Sequence, residues 1–363
     1  MTGHVIIILW VPFLSFALKM KLLKLPILIQ IEVYKNLQPC EYFQMSLCSL
    51  KSKQAIRTVK YYNAEVWISQ LCRSLTFSIR YRDYQKDICF ISLNTPMIPN
   101  LSMFQLKHAG NILKSSVESN NNGPCRIHLD TSTSLTIFYQ YICHLFGVSS
   151  TDVYAEIMDK LDERCDEMKS LQIKRSRIFC HCPHWRDVED FCLENPNHTY
   201  FNVTGRVRFS MLMSEDPYNS MKFMEIPNIT IGSVRDHYPR YLMHFKGEHG
   251  YFENCRMSGY WMNKFLKDWI KRKEDELKSM IFVAKTDVEY DLNVAVCFDG
   301  LVTRKCNLAE RSVFPYQSII SKYHKVPNEF FDCHNGTEIT RDTDGKTMTI
   351  VISKQHVGFF VWP

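Results

Sequence analysis

The sequence predicts an α+β, mixed α/β protein: a short N-terminal trio of helices, then an α/β domain, closed by a C-terminal β-hairpin. Three observations predict it. Apolar stretches between Leu25 and Tyr61 are punctuated by Pro26 and Pro39. From Leu171 onward, strand-like segments recur every 24–28 residues with helix-like ones between them. The C-terminal stretch from Asn328 sets the turn triplets HNG and TDG among β-rich runs.

The totals fit a folded chain. Of 363 residues, 45% are hydrophobic and 23% charged, which excludes disordered and fibrous classes. The net charge of +6 is mild for this length, and the basic residues are spread out apart from Lys51/Lys53/Arg57/Lys60 and Lys271/Arg272/Lys273. A nucleic-acid binder shows a denser basic stripe, so no nucleic acid is expected as a partner. The 14 Cys are scattered, and several sit in apolar runs (Cys48, Cys89, Cys143, Cys192, Cys297). There they behave as small buried hydrophobes, which points to a reducing compartment, cytoplasmic or nuclear. Sequons at Asn100, Asn197, Asn202, Asn228 and Asn335 matter only in a secreted chain.

Val5–Leu18 is strongly apolar but shorter than the ~20 residues a bilayer span needs. It reads as an extension ahead of a domain that starts near Met20. The alternatives are a membrane anchor, with Lys19, Lys21 and Lys24 holding the body in the cytosol, and a poor signal peptide. A membrane enters only through this run.

The elements follow in order. Pro26 suits the first position of a helix, where its missing N–H costs nothing. Ile27, Leu28, Ile31, Val33, Tyr34 and Leu37 cover more than one face of that helix. Pro39 opens a second helix, in which Tyr42, Phe43, Met45 and Leu47 again exceed one stripe. A basic third helix runs from Leu50 to Tyr61. A trio this small has little core of its own, so its excess apolar surface must be covered by a partner or by the rest of the chain. Glu65–Leu93 is rich in β-branched and aromatic residues with partial alternation and predicts strands. NNNG at 120–123 is a turn, and Ile137–Phe146 a helix.

From Asp152 the chain alternates. DVYAEIMDKLDERCDEMKS reads as a long amphipathic helix and LQIKRSRIF as a strand. WRDVEDFCLEN is a helix and TYFNVTGRV a strand. FMEIPNITIG and GYFENCRM are strands, WMNKFLKDWIKRKEDE a helix and LKSMIFVAK a strand. In that helix Trp261, Phe265, Leu266, Trp269 and Ile270 form a core-facing stripe, with Lys264, Lys267 and Asp268 outward. The strand starts at Leu171, Thr199, Phe223, Gly250 and Leu277 match the leucine-rich-repeat period of about 20–29 residues, without a consensus repeat. A mixed α/β layer with short parallel strands gives the same spacing. The expected divisions are an apolar extension (1–20), the helical trio (21–62), a strand-rich linking region (63–150) and the α/β domain (151–363).

Candidate chemistry is sparse. The cluster CHCPHW at 180–185, with Cys165 and Cys192 nearby, has metal-ligating residue types but no second ligand pair, so packed cysteines at a strand end are the simpler reading. His144, on an apolar helix, reads as a core or surface histidine. Asp342, Asp344 and Gly345 lack the further oxygen ligands of a calcium loop and read as a hairpin turn. Phosphate-loop, dinucleotide, metalloprotease and nucleophile-elbow motifs are absent from the sequence. No catalytic residue, metal or cofactor is assigned.

Three stretches carry a resemblance. LKLPILIQIEVYKNLQPCEYFQMSLCSLKSK, Leu23–Lys53, resembles an F-box in the form of the large nematode F-box families: Leu25-Pro26 at the start, an apolar first helix through Val33 and Leu37, Pro39 opening the second, then SLCSLKSK. GYFENCRMSGYWMNKFLKDWIKRKEDELKSMIFVA, Gly250–Ala284, resembles the type 2 F-box-associated domain through Met262-Asn263, Phe265, Leu266, Lys267, Trp269 and Ile270, the densest match lying within 221–284. FDCHNGTEITRDTDGKTMTIVI is similar to the tail of those proteins. The Val5–Leu18 run and the polar Gln30 and Glu32 depart from the pattern.

The resemblance implies a non-catalytic substrate receptor of an SCF-type (cullin–RING) ubiquitin ligase. Leu25, Pro26, Ile29, Val33, Leu37, Pro39 and Leu47 would bind a Skp-type adaptor and, through it, a cullin. The C-terminal domain would recruit an unknown protein substrate, at exposed strand-face and loop positions of a solenoid-like sheet. The alternatives are a membrane-anchored or secreted glycoprotein, and a degenerate family member that binds something on its own.

Overall fold

The structure, a computed structural model, describes residues 24–58, 64–71, 74–81, 84–93, 102–108, 110–118, 124–129, 132–149, 153–157, 168, 171, 173–179, 184–206, 221–233, 244–255, 257–273, 276–284, 290, 292–307, 311–324 and 330–363. The Val5–Leu18 run, the NNNG turn, Asn100, Cys165 and Cys180–Pro183 lie outside these residues. The chain forms two compact units, Met1–Lys174 and Arg175–Pro363.

Among the described residues, the first unit opens with the three expected helices: α1 (Ile27–Lys35), α2 (Pro39–Cys48) and α3 (Leu50–Ile56). A seven-stranded set follows: β1 (Glu65–Leu71), β2 (Ser74–Tyr81), β3 (Tyr84–Leu93), β4 (Ser102–His108), β5 (Asn111–Glu118), β6 (Cys125–Leu129) and β7 (Val153–Ile157). Their order is β7-β1-β2-β3-β6-β5-β4. β1–β3 form an antiparallel meander, β6 runs parallel to β3, and β7 runs parallel to β1. Helix α4 (Ser132–Phe146) connects β6 to β7. Both faces of β1 are buried, because Val66 and Ile68 point one way while Trp67 stacks on Tyr154 of β7 at 4.0 Å.

One element differs from the sequence reading. Val153–Ile157 is a strand, not the start of a long helix. Its ladder with β1, Trp67 opposite Tyr154, selects the extended form over the helix preference of the acidic, Met-rich run. The predicted continuation over 158–167 lies outside the described residues.

The second unit places five strands side by side in sequence order, all parallel: β8 (Arg175–Ile178), β9 (Tyr200–Arg206), β10 (Asn228–Ser233), β11 (His249–Phe252) and β12 (Ser279–Val283). Helix α5 (Trp185–Glu194) lies between β8 and β9, and α6 (Gly259–Lys271) between β11 and β12. A 3₁₀ turn, Lys222–Glu225, takes the first part of the stretch expected to be strand ahead of β10. Ser258 caps α6, accepting from the Trp261 N–H at 3.4 Å. Met262, Phe265, Leu266 and Trp269 are buried, while Trp261 and Ile270, at the edges of the expected stripe, are half-buried.

Beyond β12 come α7 (Val294–Cys297), β13 (Arg304–Lys305), β14 (Val313–Pro315), α8 (Ile319–Tyr323), β15 (Phe330–Asp332), β16 (Thr337–Thr340), β17 (Thr347–Ile352) and β18 (His356–Val361). β14 and β15 pair as a two-stranded ribbon. β16–β18 form the expected C-terminal meander, and β18 pairs antiparallel with β12. The turn between β16 and β17 has Gly345 at φ 74°, where a side chain would be strained. Arg341, buried over the Trp269 ring, grips Asp344 through two N–H···O bonds of 2.8 and 2.6 Å. Asp344 thus belongs to a turn, as its sequence context indicates.

Every described cysteine is a free thiol. Burial pushes the Cys89 and Cys192 thiols well up, and that of Cys125 up to about 12, so they are protonated packing groups.

Glu338 on β16 is fully buried. Arg304 Nε donates to it at 2.7 Å, the Asn307 N–H at 3.2 Å, and Arg311 stands 3.5 Å away. Burial raises its pKa. The hydrogen bonds and the two guanidinium charges together outweigh burial and hold the carboxyl below its ordinary 4.5. A depressed carboxyl contributes stability above its unfolded-state pKa and loses it as pH falls through the folded value. The urea midpoint should therefore fall between pH 7 and pH 3, and Glu338→Gln should be less stable at pH 7 with a flatter acid response. Parallel pH profiles for the two proteins would show that this carboxylate contributes nothing.

Candidate functional site

The helical trio is built inward around tyrosines. Gln38 and Glu41 close a capping box at the start of α2, the Gln38 N–H donating to Glu41 Oε2 at 2.6 Å. Ser49 caps α3, accepting from the Ser52 N–H at 3.0 Å. On α1, Gln30 and Tyr34 face inward, and Gln30 Nε2 donates to the Leu25 carbonyl at 2.6 Å. The Tyr42 hydroxyl donates to the Tyr34 carbonyl and binds α2 to α1.

Helix α2 is buried nearly all round because α4 covers its far side. Phe43 meets Phe138 edge-to-face at 5.6 Å and Tyr141 at 6.4 Å, and Tyr42 meets Phe146 at 6.3 Å. The Tyr141 hydroxyl donates to Ser46 Oγ at 2.7 Å. Lys53 of α3 lies 4.2 Å over the same Tyr141 ring.

This packing sorts the seven residues assigned to adaptor binding. Pro26 and Ile29 are exposed, and Leu25, Val33 and Leu47 are half-exposed. Leu37 and Pro39 are buried inside the unit, so they shape the helices rather than face outward. The structure adds surface not on that list: Leu28 is 72% exposed, Leu50 70% and Ile27 50%, beside the expected Ile29 at 49%. A signal for it was present. Ile27, Leu28 and Ile29 are consecutive, and at about 100° per residue three consecutive side chains cannot all face one core.

Elsewhere the structure redirects expectations. The strand face expected to carry exposed recognition positions is covered by the chain itself. Tyr316, Tyr323 and His324, around α8, lie on His249, Tyr200 and Tyr251 at 5.7, 5.1 and 4.9 Å. Asn202, Thr230 and Tyr251 are accordingly buried, and the sequon at Asn202 has no surface for a glycan. An open cleft of ≈ 930 Å³ remains at the N-terminal ends of β10–β12, lined by Asn228, His249, Lys278, Phe314, Lys346 and Trp362 among others. Burial, and then the Lys278 charge, push His249 down to about 4, so it is neutral at physiological pH. Its Nδ1 pairs with Ser279 Oγ at 2.7 Å. His184 of the CHCPHW cluster caps α5, its Nδ1 accepting from the Arg186 N–H at 3.3 Å. Among the described residues no three His, Cys, Asp or Glu side chains gather as a metal site, and no helix is long and apolar enough to cross a membrane.

The segment that holds α1, α2 and α3 defines the class: residues 22–63 match the F-box domain family model. The chain thus carries an N-terminal three-helix F-box followed by sheet-rich α/β structure. No curated protein and no solved structure matches the chain.

The burial pattern separates core from surface within this F-box. Leu37→Ala should cost ~2–4 kcal/mol in urea unfolding. Leu28→Ala should change stability by less than about 0.5 kcal/mol. Equal losses at the two positions would contradict the assignment of inner and outer faces.

Proposed function

We propose that this chain is a non-catalytic substrate receptor of an SCF-type (cullin–RING) ubiquitin ligase. Its F-box docks on a Skp-type adaptor and its C-terminal unit recruits a protein substrate. The observation that carries the reading is the outward apolar surface of the F-box-matching segment, Pro26, Ile27, Leu28 and Ile29 with Leu50 on α3. Apolar area left in water on a folded unit is stabilised when a partner covers it, at roughly 25 cal/mol per Å² before ordering costs. Leu25, Val33 and Leu47, half-exposed, extend the contact, while Leu37 and Pro39 support it from within. The receptor needs no chemistry of its own. It raises the effective concentration of a bound substrate near the charged ubiquitin carrier.

The C-terminal unit is read as a type 2 F-box-associated domain of the nematode kind, with leucine-rich-repeat-like strands. Five consecutive parallel strands in sequence order and the one-sided α6 helix support that reading. The substrate surface is placed at the cleft beside Trp362 and Phe314, since the polar strand face lies beneath α8. Free buried thiols favour a reducing, cytoplasmic or nuclear setting.

Pull-down of the full chain by a Skp-type adaptor tests the docking. The parent should bind, and Leu28→Asp with Ile29→Asp should lose at least about tenfold in affinity, because a carboxylate buried without a partner is costly. The double variant should keep the parent's urea midpoint, since both positions face water. Equal adaptor binding by parent and variant would sink the proposed face. Binding by neither would leave the F-box fold without a ligase role.

A further inference from the structure

Four nitrogen-bearing side chains converge where α3, β4 and α4 meet. Lys53 lies on α3 and Arg57 caps its C-terminal end one turn later, His108 ends β4, and His144 lies in the last turn of α4. The two imidazole rings are 5.1 Å apart. Tyr141, one turn before His144, has Lys53 over its face at 4.2 Å and His108 at 6.3 Å, which fixes the three elements around one point. Lys53, His108 and His144 are half-buried and Arg57 is exposed, so the spot is enclosed yet open to solvent.

The charges at this spot are of one sign. Burial, then Arg57, lowers the Lys53 pKa. Burial, then Lys53, lowers that of His108. Burial, then Arg57, Lys53 and His108, lowers that of His144. Among the described residues no carboxylate pairs with any of the four. Tyr141, which faces them, is held protonated by burial and donates to Ser46, and the nearby Cys48 thiol is likewise pushed up by burial. Two neutral imidazoles at this spacing would alone invite a transition metal. The neighbouring ammonium and guanidinium repel a cation, and two ligands are too few for a closed site. The same set suits an anion: Lys53 and Arg57 supply charge, the guanidinium supplies a fork for two oxygens, and the imidazole N–H groups supply directional donors.

We propose that Lys53, Arg57, His108 and His144 form a binding site for a doubly charged tetrahedral oxyanion, a phosphate group free in solution or carried as a monoester. The bound group bridges α3 of the F-box to β4 and α4 and so ties the helical trio to the sheet beneath it. The site shares α3 with Leu50 of the proposed docking face, and its test is read on the chain alone, without an adaptor.

The test is an NMR titration of the imidazole resonances of the full chain, with His108→Gln and His144→Gln supplying the assignments. Sulfate, which keeps two charges at both pH 6 and pH 8, is the first probe, with sodium chloride at equal ionic strength as the control. The His108 and His144 signals should move together and saturate, at lower sulfate concentration at pH 6, because an imidazolium holds the anion better than an imidazole. Arg57→Gln, at an exposed position, should weaken binding about tenfold. Inorganic phosphate and O-phosphoserine, compared next, distinguish the two sources: tighter phosphoserine binding assigns a monoester, and binding of phosphate alone assigns the free ion. Signals that merely follow the chloride control, or a titration unchanged in Arg57→Gln, would overturn the site.

Discussion

The docking of α2 against α4 is the contact on which the rest of the N-terminal unit depends. A three-helix segment of this length cannot bury its own apolar surface. Phe43 against Phe138 and Tyr141, with the Ser46–Tyr141 hydrogen bond, gives α2 a second wall drawn from beyond the first six strands. Once α2 is enclosed, α1 and α3 lie outside it. Tyr34 and Ile56 turn inward, and Ile27, Leu28, Ile29 and Leu50 are left in water. The outward apolar face thus follows from how the inward one is satisfied.

Much of this was legible in the sequence, for a physical reason. Where one face of an element meets the core, its period shows, as in α6 with Met262, Phe265, Leu266 and Trp269 buried and Lys264 and Asp268 exposed. The C-terminal meander was equally plain, because its turn chemistry is local. What escaped was set by distant partners. Leu37 and Pro39 looked like surface yet are buried within the unit, and the wall enclosing α2 itself lies on a helix whose hydrogen bond to it spans 95 residues of chain. Val153–Ile157 looked helical until its ladder with β1 was known. The strand face of the second unit looked open because nothing in Tyr316–His324 announces that it folds back over Tyr200, His249 and Tyr251.

That covering segment changes what the second unit can present. A row of polar side chains runs across the parallel strands in register, Tyr200, Asn228, His249 and Ser279. Burying such a row is tolerable only when its groups are paired. Ser318 donates to Asn228 at 3.0 Å and His249 pairs with Ser279, so these three members of the row are paired. The open surface is displaced to one end of the strands, where Phe314 and Trp362 line the cleft with Lys278 and Lys346.

The pairing of β18 with β12 has a consequence for how the second unit is made. Strands β8 to β12 join their neighbours in the order in which a ribosome delivers them, so each new strand finds its template already in place. The far side of β12 has no such neighbour until the last strand of the meander arrives. A chain cut short before His356 presents Ser279–Val283 as a bare apolar edge, the kind of edge that recruits other chains. For this unit, then, protection of that edge from aggregation waits on the arrival of β18.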